Sequence, residues 1–146
     1  MTREEAIAAI QALYVAYEPG AKTQGLSPEN VGGVSLGGDP LYFEYAPSAG
    51  TLAVMALVYR FRAKPKPAVM EAFREVENSE DKGGGRFDFQ APSKSVMLTR
   101  TYSSAPSPGA LKKDVDQLMI AARRWRDDVV PKVAERANAK KSRDLG

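Results

Sequence analysis

The chain of 146 residues contains neither cysteine nor histidine. The missing cysteine excludes disulfides, thiol nucleophiles and Cys/His zinc sites, and the missing histidine excludes Ser-His triads and histidine general bases. Catalysis would have to use Asp, Glu, Lys, Tyr, Ser or Thr, and no pattern of these assembles a nucleophile, a base and a stabilising group. These absences favour a binding protein over an enzyme. We expect no catalytic residue, no metal site and no cofactor.

The sequence also lacks a hydrophobic run long enough to cross a membrane. The longest strongly apolar run extends from Leu52 to Tyr59, far short of the roughly 20 residues that span a bilayer. The charged N-terminus, Met1 to Glu5, lacks the apolar segment of a signal peptide. A content of 43% hydrophobic and 27% charged residues fits one soluble domain. We therefore expect a cytoplasmic protein with no membrane partner.

The formal net charge of +3 comes from the C-terminal end of the chain. Residues 132–146 hold five basic and two acidic side chains, and the preceding part of the chain is neutral. We interpret residues 1–131 as a single domain and residues 132–146 as a basic tail, frayed or disordered. A tail that binds nucleic acid is an alternative, and it would make binding depend steeply on salt.

Three segments carry the signals of helices. Thr2-Arg3-Glu4-Glu5 has the form of a capping box, and apolar residues at helical spacing follow it. A short second helix is predicted to begin near Pro67, where proline suits the first turn. Ser107-Pro108 predicts the start of a long third helix, which should kink or end at Pro131.

Two hairpins are predicted between these helices. Residues 41–46 alternate between two faces, as do residues 86–90 and 95–102, whereas residues 51–61 are apolar on both faces. The glycine- and proline-rich segment 19–40 predicts a solvated connection. The resulting order, α-β-β-α-β-β-α, indicates an α+β domain with a twisted antiparallel sheet of hairpins flanked by three helices. The doubly apolar strand should be central in that sheet or meet a partner.

The order and pattern of these elements resemble the type III secretion chaperones, the Tir-chaperone-like group of small cytoplasmic bacterial dimers. The resemblance runs from about Met1 to Val130 and lies in the pattern of the fold rather than in catalytic signatures. The segments that carry it best are 41–45, 51–61, 67–76, 84–89, 96–101 and 121–126.

The resemblance implies a non-enzymatic α+β chaperone that forms a homodimer and holds a partner polypeptide in apolar grooves or at sheet edges, without ATP. In such proteins the short middle helix supplies much of the dimer contact, which here means Val69, Met70, Phe73 and Val76. The doubly apolar strand would supply the surface for the client, at Leu52, Val54, Met55, Leu57, Tyr59 and Phe61. A regulatory or scaffolding domain of the same fold, with no role in secretion, is the main alternative.

Overall fold

The computed structural model describes residues 1–145, and the side chains of residues 1–140. Its elements are α1 (Arg3–Tyr17), β1 (Val31–Leu36), β2 (Asp39–Ala46), β3 (Thr51–Arg60), α2 (Pro67–Glu77), β4 (Arg86–Gln90), β5 (Ser95–Tyr102), α3 (Pro108–Arg124), a π-helical turn (Trp125–Val129) and α4 (Val130–Leu145). The strands form one antiparallel sheet in the order β1-β2-β3-β5-β4, and the helices share a single core with one of its faces. This arrangement confirms the predicted α+β class and its order of hairpins and helices, and it adds one strand and one helix.

The additional strand lies within the glycine-rich segment that predicts a solvated connection. Val31–Leu36 forms β1, which pairs with β2 at the edge of the sheet. Gly32 is required there, because a Cβ at this position would lie 2.0 Å from the carbonyl oxygen of Gly25. The consecutive glycines 32 and 33 weaken the alternating pattern by which a strand is recognised. The segment therefore gives a poor strand signal although it pairs along its whole length.

The third helix does not end at Pro131. A π-helical turn precedes it, in which the N–H of Val130 donates to the carbonyl of Trp125, and α4 then continues through the proline. Proline has no N–H to donate and its ring crowds the preceding turn of an α-helix. Prolines and π turns are both places where helices depart from regular α geometry, and here the π turn lies directly before the proline.

Residues 132–145 belong to α4, which corrects the prediction of a frayed or disordered tail. Val133 and Ala137 are buried against the rest of the domain, so the helix contributes to the core. Its basic side chains contact acidic residues of α2 and of the loop after it, in the pairs Lys132–Glu80, Arg136–Glu75, Lys140–Glu71 and Lys140–Glu75. Gly146, the last residue of the predicted tail, lies outside the described residues.

Candidate functional site

The sheet has one face covered by helices and one face, called here the open face, over which no helix packs in the described part of the chain. Along β3, Leu52 and Val54 point into the helix-covered core, whereas the alternate residues Met55 and Leu57 lie on the open face. Cross-strand pairing extends the open face over all strands through Val31, Tyr42, Glu44, Asp88, Gln90, Met97 and Thr99.

A groove of about 380 Å³ crosses the open face. Every strand contributes to its walls, through Val31, Gly33, Tyr42, Met55, Gln90 and Met97. Met55 and Met97 are only 6% and 4% exposed, although no described helix lies over them. Methionine adapts its shape to irregular apolar surfaces and is common where a surface must accept different partners. The groove therefore has a deformable apolar floor.

The groove carries opposite charges towards its two ends. Glu44 lies beside Val31 of the edge strand β1. Arg60 is the last residue of the central strand β3, seven positions beyond Ala53, which pairs with Glu44. Arg60 pairs with Ser95, and its Nε donates to the Ser95 hydroxyl at 3.1 Å. Because both side chains line the groove, a bound segment would meet a carboxylate at one end and a guanidinium at the other.

A β-bulge at Val58 changes which face of the sheet the following residues of the chain occupy. Apolar residues before and after the bulge therefore lie on different surfaces. The register shifts between the pair Leu57–Met97 and the pair Tyr59–Val96, so Tyr59 moves to the side of the sheet that carries the helices. The guanidinium of Arg126, in the π turn, donates to the carbonyls of Leu57 at 2.9 Å and Val58 at 3.2 Å. These two hydrogen bonds stabilise the bulged backbone.

The structure therefore does not gather the six predicted partner-binding residues into one surface. Leu52 and Val54 are buried beneath the helices, which removes them from any binding surface. Met55 and Leu57 lie on the open face. The side chains of Tyr59 and Phe61 meet edge to face, with ring centroids 4.9 Å apart, at the helix-side rim of the sheet next to α2.

The four residues predicted at a dimer contact are divided in the same way. Phe73 and Val76 are 0% and 2% exposed because they pack into the domain's own core. Val69 and Met70, in the first turns of α2, are half-buried and reach the surface. The apolar stripe of α2 faces core that the same chain supplies, in part from α4. Of the four predicted residues, only Val69 and Met70 are available to a partner.

Sequence reasoning missed Arg60 at the end of β3 and the groove residues outside this strand, namely Val31, Tyr42, Glu44 and Met97. The alternating patterns of residues 41–46 and 95–102 place Tyr42 and Met97 on one face of their strands. Those patterns do not tell which face the helices cover. The location of the groove depends on which face the helices cover, on the presence of the edge strand β1 and on the bulge at Val58.

Two tyrosines contact carboxylates of α3. The Tyr102 hydroxyl donates to Asp114 at 2.8 Å, and the Tyr17 hydroxyl donates to Asp116. Burial and then the neighbouring carboxylate raise the pKa of each tyrosine well above its usual value. Burial alone would raise the pKa of Asp116, but hydrogen bonds from Tyr17 and Lys112 outweigh it and lower that pKa. These contacts hold α3 against α1 and β5.

No group of three or more acidic side chains comes together in a way that could hold a metal ion within residues 1–140. None of the helices described up to residue 145 combines the length and apolar character needed to cross a membrane. The groove on the open face remains the candidate site.

No protein-family model matches the chain, and its sequence matches no curated protein. Solved structures do match its fold. A chain of the ExsC–ExsE complex superposes with a TM-score of 0.66 at 12% identity, over 88% of this chain and 96% of that one. A chain of the HopA1–SchA chaperone–effector complex gives a TM-score of 0.60 at 12% identity, over 86% and 95% of the two chains.

A third match is a chain of the ExoT–SpcS complex from Pseudomonas aeruginosa, with a TM-score of 0.54 at 17% identity over 84% of this chain and 96% of that one. In all three cases nearly the whole of the matched chain superposes, so the likeness includes the complete domain and not one motif. The sequence-based resemblance is confirmed at the level of the fold. The chain has the fold of the type III secretion chaperones.

Proposed function

We propose that the protein is a non-catalytic chaperone or adaptor that holds a segment of a partner polypeptide on the open face of its sheet. The observation that carries the proposal is the groove over Met55 and Met97, an apolar concavity that no described helix of the same chain covers. Apolar surface of this kind marks interaction sites in soluble domains. The fold supports the proposal, because one similar structure is a chaperone–effector complex.

The groove suits a segment with a particular chemistry. Apolar side chains would pack over the two methionines, a basic residue would lie near Glu44 and an acidic residue near Arg60. Neighbouring strands of a sheet lie about 4.8 Å apart. A segment that crosses the strands of this sheet therefore needs only a few residues. Charge complementarity at its ends would fix its direction, and apolar contact would supply most of the affinity.

We also propose that the protein forms a homodimer through the beginning of α2. Val69 and Met70 reach the surface there, and the exposed ring of Tyr59 lies on the same side of the sheet. Phe73 and Val76 support this surface from within the domain rather than contacting the partner. The surface of Val69 and Met70 alone is too small for a stable interface. The interface therefore also includes the neighbouring rings of Tyr59 and Phe61.

A cytoplasmic location and a role in secretion belong to the same proposal and rest on the likeness of fold. The structure speaks against the nucleic-acid alternative, because Lys132, Arg136 and Lys140 are all paired with carboxylates in the described part of α4. Paired cations contribute less to binding phosphates than free ones. A regulatory domain that uses the same groove would differ only in the identity of its partner.

The test is selection of binding peptides from a random peptide library on the wild-type protein, followed by titration of the selected peptides. The chain offers a matched pair of exposed valines, Val31 at 46% on the open face and Val15 at 39% on α1. We expect Val31→Asp to weaken binding at least tenfold and Val15→Asp to leave it unchanged. Equal effects of the two substitutions, or no selectable peptide, would refute the proposed groove.

A further inference from the structure

Ile120 is the most exposed large hydrophobic residue among residues 1–140, with 67% of its surface accessible. It lies on α3, on the opposite side of the molecule from the open face. Two concavities of about 340 Å³ each flank it. One is walled by Leu36 and Met119, and the other by Gly83 and Gln117. An exposed apolar side chain between two concavities is typical of a surface that contacts another protein.

The charges of α3 are arranged symmetrically about this residue. Asp116 lies four positions before Ile120 and Arg124 lies four positions after it, so the two charges are opposite. Gln117 and Arg123 lie three positions before and after it, and both can take part in a hydrogen bond. Because residues three and four positions away share a helix face, these four side chains surround Ile120 on the same surface.

Two further charges lie beyond these four side chains. Lys113 lies seven positions before Ile120, and Asp127, in the π turn, lies seven positions after it. Neither takes part in an ion pair within residues 1–140. Two exposed charges of opposite sign, without an ion pair among residues 1–140, thus extend the arrangement of opposite charges beyond Asp116 and Arg124.

We propose that α3 packs antiparallel on α3 of a second copy of this chain, with a two-fold axis at Ile120. In such a pair, each residue before position 120 faces the residue equally far after it on the other copy. Asp116 then faces the partner's Arg124, and Lys113 faces the partner's Asp127. The two isoleucines meet at the axis, and the same contacts recur on its other side.

The side chains required for this contact are accessible. Arg124 is more than half exposed, and its ion pair with Glu80 is long, at 3.4 Å. The Asp116 carboxylate bonds Tyr17 and Lys112 yet is itself more than a third exposed. A guanidinium has five donors and a carboxylate has four acceptor sites. Each group can therefore keep its present hydrogen-bond partner and bind a second one.

This contact is separate from the proposed dimer through α2, and it goes beyond the proposed function. An isologous interface on α3 would join two chains, or two α2-linked dimers into a tetramer. Every variant in its test therefore carries Val69→Asp, so that the α2 contact does not contribute to the measured association.

The absence of cysteine from the natural chain makes a cross-linking test specific. Helices about 10 Å apart place facing Cα atoms roughly 5 Å from each other, within the range of a disulfide. Ile120→Cys lies on the axis and should form a disulfide-linked dimer on mild oxidation. Gln117→Cys is the control, because its two copies would lie about 9 Å apart along the helix axis alone and should not cross-link.

Charge reversal provides the second test. Asp116→Arg and Arg124→Asp, made singly, each place like charges opposite one another and should weaken association about tenfold by sedimentation equilibrium. The double variant restores the opposite charges across the axis and should return to within about threefold of the parent. Circular dichroism checks that each variant is folded.

Three results would overturn the proposal. One is a monomeric parent at high protein concentration. The second is equal cross-linking of Ile120→Cys and Gln117→Cys. The third is a double charge variant weaker than both single variants. A failure here leaves the groove on the open face untouched, because peptide binding there is measured independently.

Discussion

The indole ring of Trp125 lies parallel to the phenyl ring of Phe73, with an interplanar angle of 3° and ring centroids 6.4 Å apart. Both side chains are fully buried, and Phe87 contacts both rings. The indole N–H donates to the carbonyl of Asp81 at 2.8 Å, which satisfies the polar atom of the buried ring. This cluster joins α2, β4 and the π turn, so Phe73 serves the stability of the domain.

Phe73→Ala is therefore expected to lower the free energy of unfolding by about 3–5 kcal/mol, because it removes a buried aromatic ring and leaves a cavity. Urea denaturation at two protein concentrations measures this. Val69→Ala, half-buried on the same helix, should cost less than about 1 kcal/mol. A loss at Phe73 that grows as protein concentration rises would place this residue at an interface between subunits instead, because association would then stabilise the wild type more than the variant.

The raised pKa values of Tyr17 and Tyr102 predict a loss of stability in alkali. The folded protein holds these protons more tightly than the unfolded chain, whose tyrosines titrate near pH 10. The stabilisation is present below about pH 10 and is lost as the pH rises towards the folded-state pKa. Each tyrosine contributes at most about 1.4 kcal/mol per pH unit, and partial exposure reduces that figure.

Replacing both residues in the variant Tyr17→Phe/Tyr102→Phe should flatten this alkaline decline. Urea denaturation between pH 9 and pH 12, roughly the window set by tyrosine titration, measures the slope. Tyr42→Phe is the control, because its hydroxyl makes no hydrogen bond within the described residues. An unchanged slope in the double variant would show that these hydroxyls do not cause the decline.

Arg126 is expected to matter more than its neighbour Arg123 although both reach Asp39. Arg126 also donates to the two carbonyls of the bulge in β3, whereas Arg123 is mostly exposed. Arg126→Met should cost about 1–3 kcal/mol and Arg123→Met less than about 1 kcal/mol, by thermal and urea unfolding. Equal costs would mean that the bulge does not depend on this guanidinium.

Much of the fold follows from local pattern. The capping box at Thr2, the first-turn prolines of α2 and α3 and the bounds of β4 and β5 all agree with the sequence prediction. Each of these signals lies within a few residues of the element that it marks. Local information was sufficient for them.

The features that were not predicted depend on contacts between distant parts of the chain. Residues 132–145 are helical because Val133 is buried and because basic residues of this segment form ion pairs with Glu75 and Glu80. These glutamates lie more than fifty positions earlier in the chain. Gly32 weakens the sequence signal of edge strand β1. A glycine is required there because the backbone of Gly25 leaves no room for a side chain. The charge and glycine content of these segments therefore led to the wrong local state.

The candidate site was predicted only in part for the same reason. The apolar pattern of residues 51–61 shows that both faces of β3 are apolar, but which face is covered depends on where the helices pack. The bulge at Val58 then moves Tyr59 out of the alternation. A strict period of two assigns such residues to the wrong face, because one inserted residue reverses every side chain after it.

The most direct test of the open-face groove uses the methionines as probes. The chain has five methionines, of which Met55 and Met97 line the groove, Met70 lies on α2 and Met119 lies on α3. Protein labelled with ¹³C at the methionine methyl groups is titrated with a library-selected peptide and followed by NMR. We predict that the methyl signals of Met55 and Met97 shift and that the Met119 signal stays in place. Shifts confined to Met70 or Met119, with the two groove methionines unchanged, would contradict the account.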